Sequence, residues 1–234
     1  MKVAESLRLK ENETVSDQRS PLMGNQNEKG HYTPPLSEDA VRLAATFKAS
    51  RAATSNIILF TGIAALEGVS TVAAQVALAL AQVESRPVLL VDANLRSPSV
   101  HATFHIQRGP GLVEVIEQST SLTKGIHLLQ GSALSILPVG AVSKEALEVF
   151  PAPECAVLME RLREEFCFVI VDSSPLLQFI DTTLLVPYAD SVVMVIAAGA
   201  RRQPEIVEAR RQLARLKAKT VGLVLCEKPG RRFR

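Results

Sequence analysis

Three turns in this 234-residue chain hold the residue types that handle phosphate. The first reads Thr61-Gly62-Ile63-Ala64-Ala65-Leu66-Glu67-Gly68-Val69-Ser70-Thr71. It lies between an apolar run and an alanine-rich segment, the strand–loop–helix setting of a phosphate-binding loop. Such a loop uses glycine so that backbone N–H groups can curl around an anion. It uses a lysine to meet the outer phosphates and a Ser or Thr hydroxyl to hold Mg²⁺. Gly68, Ser70 and Thr71 stand at positions for the first and third tasks. Val69, however, occupies the lysine position, and Leu66 fills a place where glycine would ease the loop. On this turn alone, an ordinary strand-to-helix connection stays open.

The second turn, Asp92-Ala93-Asn94-Leu95-Arg96-Ser97-Pro98, follows the apolar run Val88–Val91. The third, Asp172-Ser173-Ser174-Pro175, follows Phe168–Val171. Each places an aspartate directly after a strand expected to be buried. A carboxylate there is expensive unless it meets a cation or hydrogen-bond donors. In a nucleotide site the cation is Mg²⁺, which makes Ser70, Asp92 and Asp172 the candidate metal set. Otherwise the aspartates cap the turns that follow them.

Positioning three such turns side by side takes a particular scaffold. From Asn56 onward, short apolar runs alternate with helical segments. Strands are expected at 57–60, 87–91, 126–129, 135–138, 168–171, 191–197 and 221–225. Helices are expected at 69–83, 111–118, 144–150, 154–165, 181–186 and 204–217. An earlier helix starts after Ser37, a plausible N-cap, with Val41, Ala44, Ala45 and Phe47 on its buried face. Strands that are apolar on both faces and alternate with helices predict an α/β fold: three layers, α/β/α, around a mostly parallel sheet. Ligands of such sheets bind beyond the carboxyl ends of the strands, where the three turns fall.

Composition narrows the function classes. Hydrophobic residues make up 47% of the chain, enough for a sizeable core, and the net charge of +2 implies no general affinity for nucleic acid. Arg201-Arg202 and Arg231-Arg232-Phe233-Arg234 are basic clusters, read as solvated, with an acidic partner or anionic lipid as the minority reading. The three cysteines show no C-x-x-C spacing. Cys155 and Cys167 lie among apolar residues and are expected to be buried thiols, with neither disulfide nor metal. No secretory signal and no apolar run of membrane-spanning length is expected. The chain divides into a polar arm, 1–36, expected to be disordered; a globular domain, 37–228; and a basic tail, 229–234.

In the order and spacing of the three turns, the globular part resembles the bacterial tyrosine kinases of capsule and exopolysaccharide export. That family is related to the partitioning and septum-site ATPases of the P-loop NTPase class. Where it has a loop like PGEGKST this sequence has Leu66-Glu67-Gly68-Val69-Ser70-Thr71; its LLVDADLRRP corresponds to 89–98 and its VIIDTPP to 169–175. Pro110-Gly111-Leu112 with Val115 resembles the family's PGLSDVL, and Ile136-Leu137-Pro138-Val139-Gly140 its LPAG segment. The resemblance implies a P-loop NTPase-like fold, Mg²⁺ with ATP or ADP as cofactors, and Asp92 and Asp172 as catalytic groups. It also implies a polysaccharide co-polymerase or chain-length membrane protein as partner, or an active kinase paralogue. A homo-oligomer and a cytoplasmic location, at the membrane through that partner, follow from the same resemblance.

The departures define the expected function. Val69 replaces the loop lysine, and Asn94 replaces the second aspartate of the DxD pair. Cys226 stands where relatives carry an adenine-reading asparagine. The C-terminal tyrosine cluster is missing, since Tyr32 and Tyr188 are the chain's two tyrosines. Of the ring-assembling E-x-x-R-x-x-R pattern, Asp39 and Arg42 remain. Nucleotide is then held weakly or not at all, and Asp92 and Asp172 are remnants of a catalytic set. The expectation is a catalytically impaired, kinase-like regulator of polysaccharide export. The alternative is an active or weakly active ATP-dependent tyrosine kinase that recruits its cation from Arg96, Lys124, Arg201 or Arg202.

Overall fold

Alternating apolar residues along each strand face two separate cores, and that arrangement sets the architecture. The computed structural model describes residues 6–9, 25–26, 32–33, 36–50, 56–142, 146–219 and 221–226. Strands β4 (Ile57–Gly62), β5 (Val88–Asp92), β8 (Phe168–Asp172) and β9 (Ser191–Ala197) form the centre of the sheet. On one face Ile57, Leu59, Leu89, Val91, Val169 and Val171 pack together. On the other, Ile58, Phe60, Val88, Leu90, Phe168 and Ile170 do so. Successive side chains of a strand point to opposite faces, so a continuous apolar run is what two covered faces require.

Helices cover both faces. Helix α1 (Glu38–Ser50) and α2 (Val69–Val83) bury Leu43, Ala44, Val76 and Leu80 in one core. Helices α4 (Leu112–Ile116), α7 (Pro153–Glu165), α8 (Asp181–Leu185) and α9 (Gln203–Arg215) bury Leu112, Leu162, Leu185 and Leu213 in the other. The three-layer α/β/α expectation therefore holds. Short helices α3 (Val100–Thr103), α5 (Leu122–Gly125) and α6 (Ala146–Val149) lie in the connections.

The sheet runs β1-β10-β9-β4-β8-β5-β7-β6, with β1 at Ser6–Leu9, β6 at His127–Leu128, β7 at Leu134–Leu137 and β10 at Val221–Cys226. Every pairing is parallel except that of β6 with β7. The expected arm, 1–36, lies largely outside the described residues. Within it β1 pairs with β10, and β2 (Asn25–Gln26) pairs with β3 (Tyr32–Thr33). The basic tail 229–234 lies outside the described residues altogether.

One expectation is corrected by phase. The buried face of α1 is Ala40, Leu43 and Ala44, with Phe47 partly buried against the same core, while Val41 and Ala45 point outward. Spacings of three and four residues from Ala40 generate that stripe; Val41 starts the neighbouring one. Ser37 caps the helix as expected, its Oγ accepting from the Ala40 amide at 3.2 Å. Cys155 and Cys167 are buried free thiols. No helix among the described residues is long and apolar enough to cross a membrane.

Candidate functional site

The three turns meet where the sheet's carboxyl edge is assembled. Asp92 and Asp172 are direct partners in the β5–β8 ladder, and Phe60, at the end of the apolar stretch of β4, pairs with Asp172. Backbone bonds lock the turns to one another. The amide of Ala93 donates to Asp172 O (2.8 Å), Ser173 to Phe60 O (3.0 Å) and Leu176 to Gly62 O (2.8 Å).

The first turn divides into two halves. In the first half the amides are already occupied. Glu67 is buried with its side chain fully covered, and its Oε2 accepts from Ile63 N (2.6 Å) and Ala64 N (3.0 Å). Ala65 N donates to Gln178 Oε1 (3.1 Å). Glu67 Oε1 accepts from Arg201 Nε at 2.6 Å. A Cβ on Gly62 would lie 2.6 Å from the Glu67 carboxylate, so only glycine fits beneath it. The second half is open. Gly68 adopts φ +82° as the N-cap of α2, and no side chain caps the helix. The amides of Val69, Ser70 and Thr71 meet no acceptor among the described residues. A free helix N-terminus of this kind attracts anions.

The Val69 side chain does nothing for an anion. It is half-buried and packs against the α1–α2 core, with a methyl group beside Gly62. Leu66 takes φ +65° and is 87% exposed, a left-handed residue at the loop tip. Leucine there is strained where glycine would not be.

The two aspartates behave differently. Asp92 is buried, and its carboxylate is spoken for: Oδ1 accepts from Asn94 N (3.2 Å), and Oδ2 from Ser99 N (3.2 Å) and Val100 N (3.1 Å). Burial pushes its pKa up to about 6, with those amides pulling it back. Asp172 is buried with neither oxygen hydrogen-bonded among the described residues. Burial and the adjacent Asp92 charge raise its pKa well above the usual carboxylate range, opposed by the Ser70 hydroxyl. An orphaned carboxylate facing a helix-terminal serine fits a divalent cation. Asp172 and Ser70 are thus the residues whose chemistry suits Mg²⁺, whereas Asp92 acts as the cap of its own turn.

Asn94 is equally engaged. Its Oδ1 accepts from Arg96 N (3.2 Å), Ser97 N (3.1 Å) and Ser174 Oγ (3.0 Å). Arg96 forks onto Asp181, Nε to Oδ2 and Nη2 to Oδ1 at 3.0 Å each, and lies 5.2 Å over the Phe179 ring. Ser174 Oγ also reaches Asp181 Oδ2 at 2.9 Å. Second and third turns are therefore tied through side chains as well as backbone. Of the other candidates, Lys124 lines a separate cavity between α4, α5 and α7 with Arg161 and Val157. Cys226 brings its Sγ to 3.5 Å from where a Gly68 Cβ would stand. Tyr188 donates to Phe150 O (3.0 Å) on another part of the molecule.

Glu67, Gln178 and Asp181 belong to the site and were not singled out in the sequence. The signal for Glu67 was its place inside the loop motif; Gln178 and Asp181 gave none beyond proximity to the third turn.

The glycine loop at the start of α2, the paired strand-end aspartates and the parallel sheet define a P-loop NTPase fold. The chain belongs to the bacterial tyrosine-protein kinase family. It is 30% identical over 159 residues to the tyrosine-protein kinase YwqD of Bacillus subtilis, covering 68% of this chain and 67% of that protein. It is also 30% identical over 162 residues to the succinoglycan biosynthesis transport protein ExoP of Rhizobium meliloti, where it spans only 20% of the relative. Among solved structures, the chimerical protein CapA2B2 superposes with a TM-score of 0.75 at 27% identity, covering 83% of this chain and 86% of that one. The VpsO kinase domain gives 0.75 at 27%, covering 81% and 93%. The septum-site protein MinD of Pyrococcus horikoshii, solved with Mg-ADP, shares the fold with a TM-score of 0.60 at 20% identity, covering 73% and 70%. No protein-family model matches the sequence.

Proposed function

We propose that the chain is a kinase-like module that no longer transfers phosphoryl groups and regulates capsule or exopolysaccharide production through protein contacts. The observation that carries this reading is Val69 at the first position of α2, turned into the core where a phosphate-gripping lysine is needed. Asn94 supports it, since its side-chain oxygen is consumed by three donors and it offers no second carboxylate. Losing one preorganised charge in a transition state lowers rate by roughly 10²–10³-fold. A cation and an anion are both replaced here. Phosphoryl transfer is almost wholly positioning and charge stabilisation, so little chemistry survives such losses. Mg²⁺, if held by Ser70 and Asp172, would neutralise phosphate charge.

The partner is a membrane protein that sets polysaccharide chain length, or an active kinase paralogue, which would hold the module at the cytoplasmic face. ExoP's name links that relative to polysaccharide export. A homo-oligomer through α1 would use Asp39 and Arg42, the two residues left of the family's ring-assembling pattern, which lie one turn apart on that helix. The second reading is a weakly active ATP-dependent tyrosine kinase. Its support is the orphaned Asp172 carboxylate, which still suits a metal.

Incubating the full chain with Mg-ATP and an acceptor polypeptide, and probing for phosphotyrosine, separates the two. The expected result is no signal above an Asp172→Ala control. Phosphotyrosine that disappears in that control would establish the active-kinase reading.

A further inference from the structure

The phosphate loop has lost its own lysine, yet a cation lies against it. Arg201, in the turn between β9 and α9, donates from Nε to Glu67 Oε1 at 2.6 Å, and its Nη1 lies 3.5 Å from Glu205 Oε1. Its side chain is largely covered, so the guanidinium is built into the loop's wall. Glu67 is itself the residue before Gly68, and the open amides begin one residue further on at Val69. A lysine at 69 beside Glu67 would give the loop one cation and one carboxylate. Arg201 supplies such a cation from another element, set between Glu67 and Glu205. The open amides of Val69, Ser70 and Thr71 and the unpartnered Asp172 carboxylate mark the adjoining space as a place for an anion with its metal.

Strand order fixes the direction from which this charge arrives. β9 neighbours β4 on one side; β8 and then β5, which carry Asp172 and Asp92, lie on the other. Arg201 therefore reaches the loop from the flank opposite Asp172.

We propose that Arg201 replaces the missing loop lysine as the cation that holds a nucleoside diphosphate, gripping the inner phosphates without activating a terminal one. This rests on the silent-kinase reading and adds what the silent pocket still binds. Arginine suits the task, because with Nε on Glu67 and Nη1 toward Glu205 it still has Nη2 to offer a phosphate.

The test is titration of fluorescently labelled ADP and ATP, each with Mg²⁺, into the full chain. Equal affinity for the two nucleotides is expected. Arg201→Ala weakens both by roughly 10- to 100-fold, the range of a charged hydrogen bond. Because Arg201→Ala leaves Glu67 buried and unpaired, the double variant Glu67→Gln/Arg201→Gln is measured beside it, with thermal melting as the check on folding. Adding Val69→Lys to that double variant restores binding. The proposal is overturned if either Arg201 variant binds like the natural chain. It is overturned too if the folded natural chain binds no ADP. Phosphotyrosine formation, read separately, bears on the silent-kinase reading and leaves these affinities as they are.

Discussion

Asp92 and Asp172 face each other across the β5–β8 ladder, and of the two only Asp172 has both carboxylate oxygens without a hydrogen bond among the described residues. The asymmetry has a thermodynamic consequence. Both folded-state pKa values are raised, Asp92 to about 6 from an ordinary 3.8. Between those values the folded protein binds more protons than the unfolded chain. The contribution of these two carboxyls to stability is therefore fullest below pH 3.8 and is lost as pH rises through about 6, where Asp92 ionises. Asp172→Asn removes the unpartnered charge and relieves Asp92. The variant is expected to melt higher than the natural chain at pH 7.5 and to lose that advantage near pH 4. Mg²⁺ should raise the natural chain's midpoint at pH 7.5 and leave the variant's unchanged. A variant that melts lower at pH 7.5 would mean that the carboxylate already has a partner in solution.

Arg96 is the strut between the second and third turns. Asp181 is fully covered, and the guanidinium that forks onto it is 32% exposed. Removing one member of a covered pair leaves the other charged and desolvated. Arg96→Ala should lower unfolding free energy by about 2–4 kcal/mol in urea melts. Adding Asp181→Asn should return part of that loss, because the orphaned charge goes with it. Arg96→Lys should recover less than half, since an ammonium cannot make the two-pronged contact. Equal stability of Arg96→Ala and the natural chain would rule out the strut.

The sheet and its turns were legible because doubly covered strands must be apolar throughout. Val88–Val91 and Phe168–Val171 admit no other reading once helices flank them, and their terminal aspartates then fall together. What could not be read was which aspartate remains free. Asp92 is satisfied because Ser99 and Val100 open α3, a single four-residue turn with no periodicity to betray it. The pairing of Glu67 with Arg201 was equally hidden, spanning 134 residues. The phase of α1 was missed for a subtler reason. Val41 and Ala45 are as apolar as Ala40 and Ala44, so composition leaves two adjacent stripes to choose between, and packing on α2 decides.

Leu66 offers a test of strain at the loop tip. A left-handed conformation for a residue with a Cβ costs about 1–2 kcal/mol, and at 87% exposure the leucine side chain returns almost no burial. Glycine relieves the strain but frees the unfolded chain, giving back roughly 0.5–1 kcal/mol. Leu66→Gly is therefore expected to stabilise by about 0.5–1 kcal/mol, read as a higher urea midpoint at unchanged slope. Leu66→Ala, which keeps the Cβ, should leave stability within about 0.5 kcal/mol of the natural chain. If Leu66→Gly destabilises instead, the exposed leucine makes a contact in solution that offsets its strained backbone.

Two substitutions should reverse the loss of chemistry if the scaffold is otherwise intact. Val69 leads into the open half of the loop, and a lysine there can run its stem along the same apolar surface while its ammonium reaches the anion. Asn94 and aspartate are nearly the same shape, and the three donors now on Asn94 Oδ1 would accept a carboxylate in its place. Val69→Lys alone should tighten Mg-ATP binding by tenfold or more without turnover, since it supplies grip and no second carboxylate. Val69→Lys/Asn94→Asp should hydrolyse ATP measurably, and adding Asp172→Ala should abolish that activity. Phosphate release assays on the natural chain and these variants decide the matter. If the double variant binds Mg-ATP tightly and still releases no phosphate, the defect lies beyond these two positions, in the geometry of Asp92, whose oxygens are already held by Asn94, Ser99 and Val100.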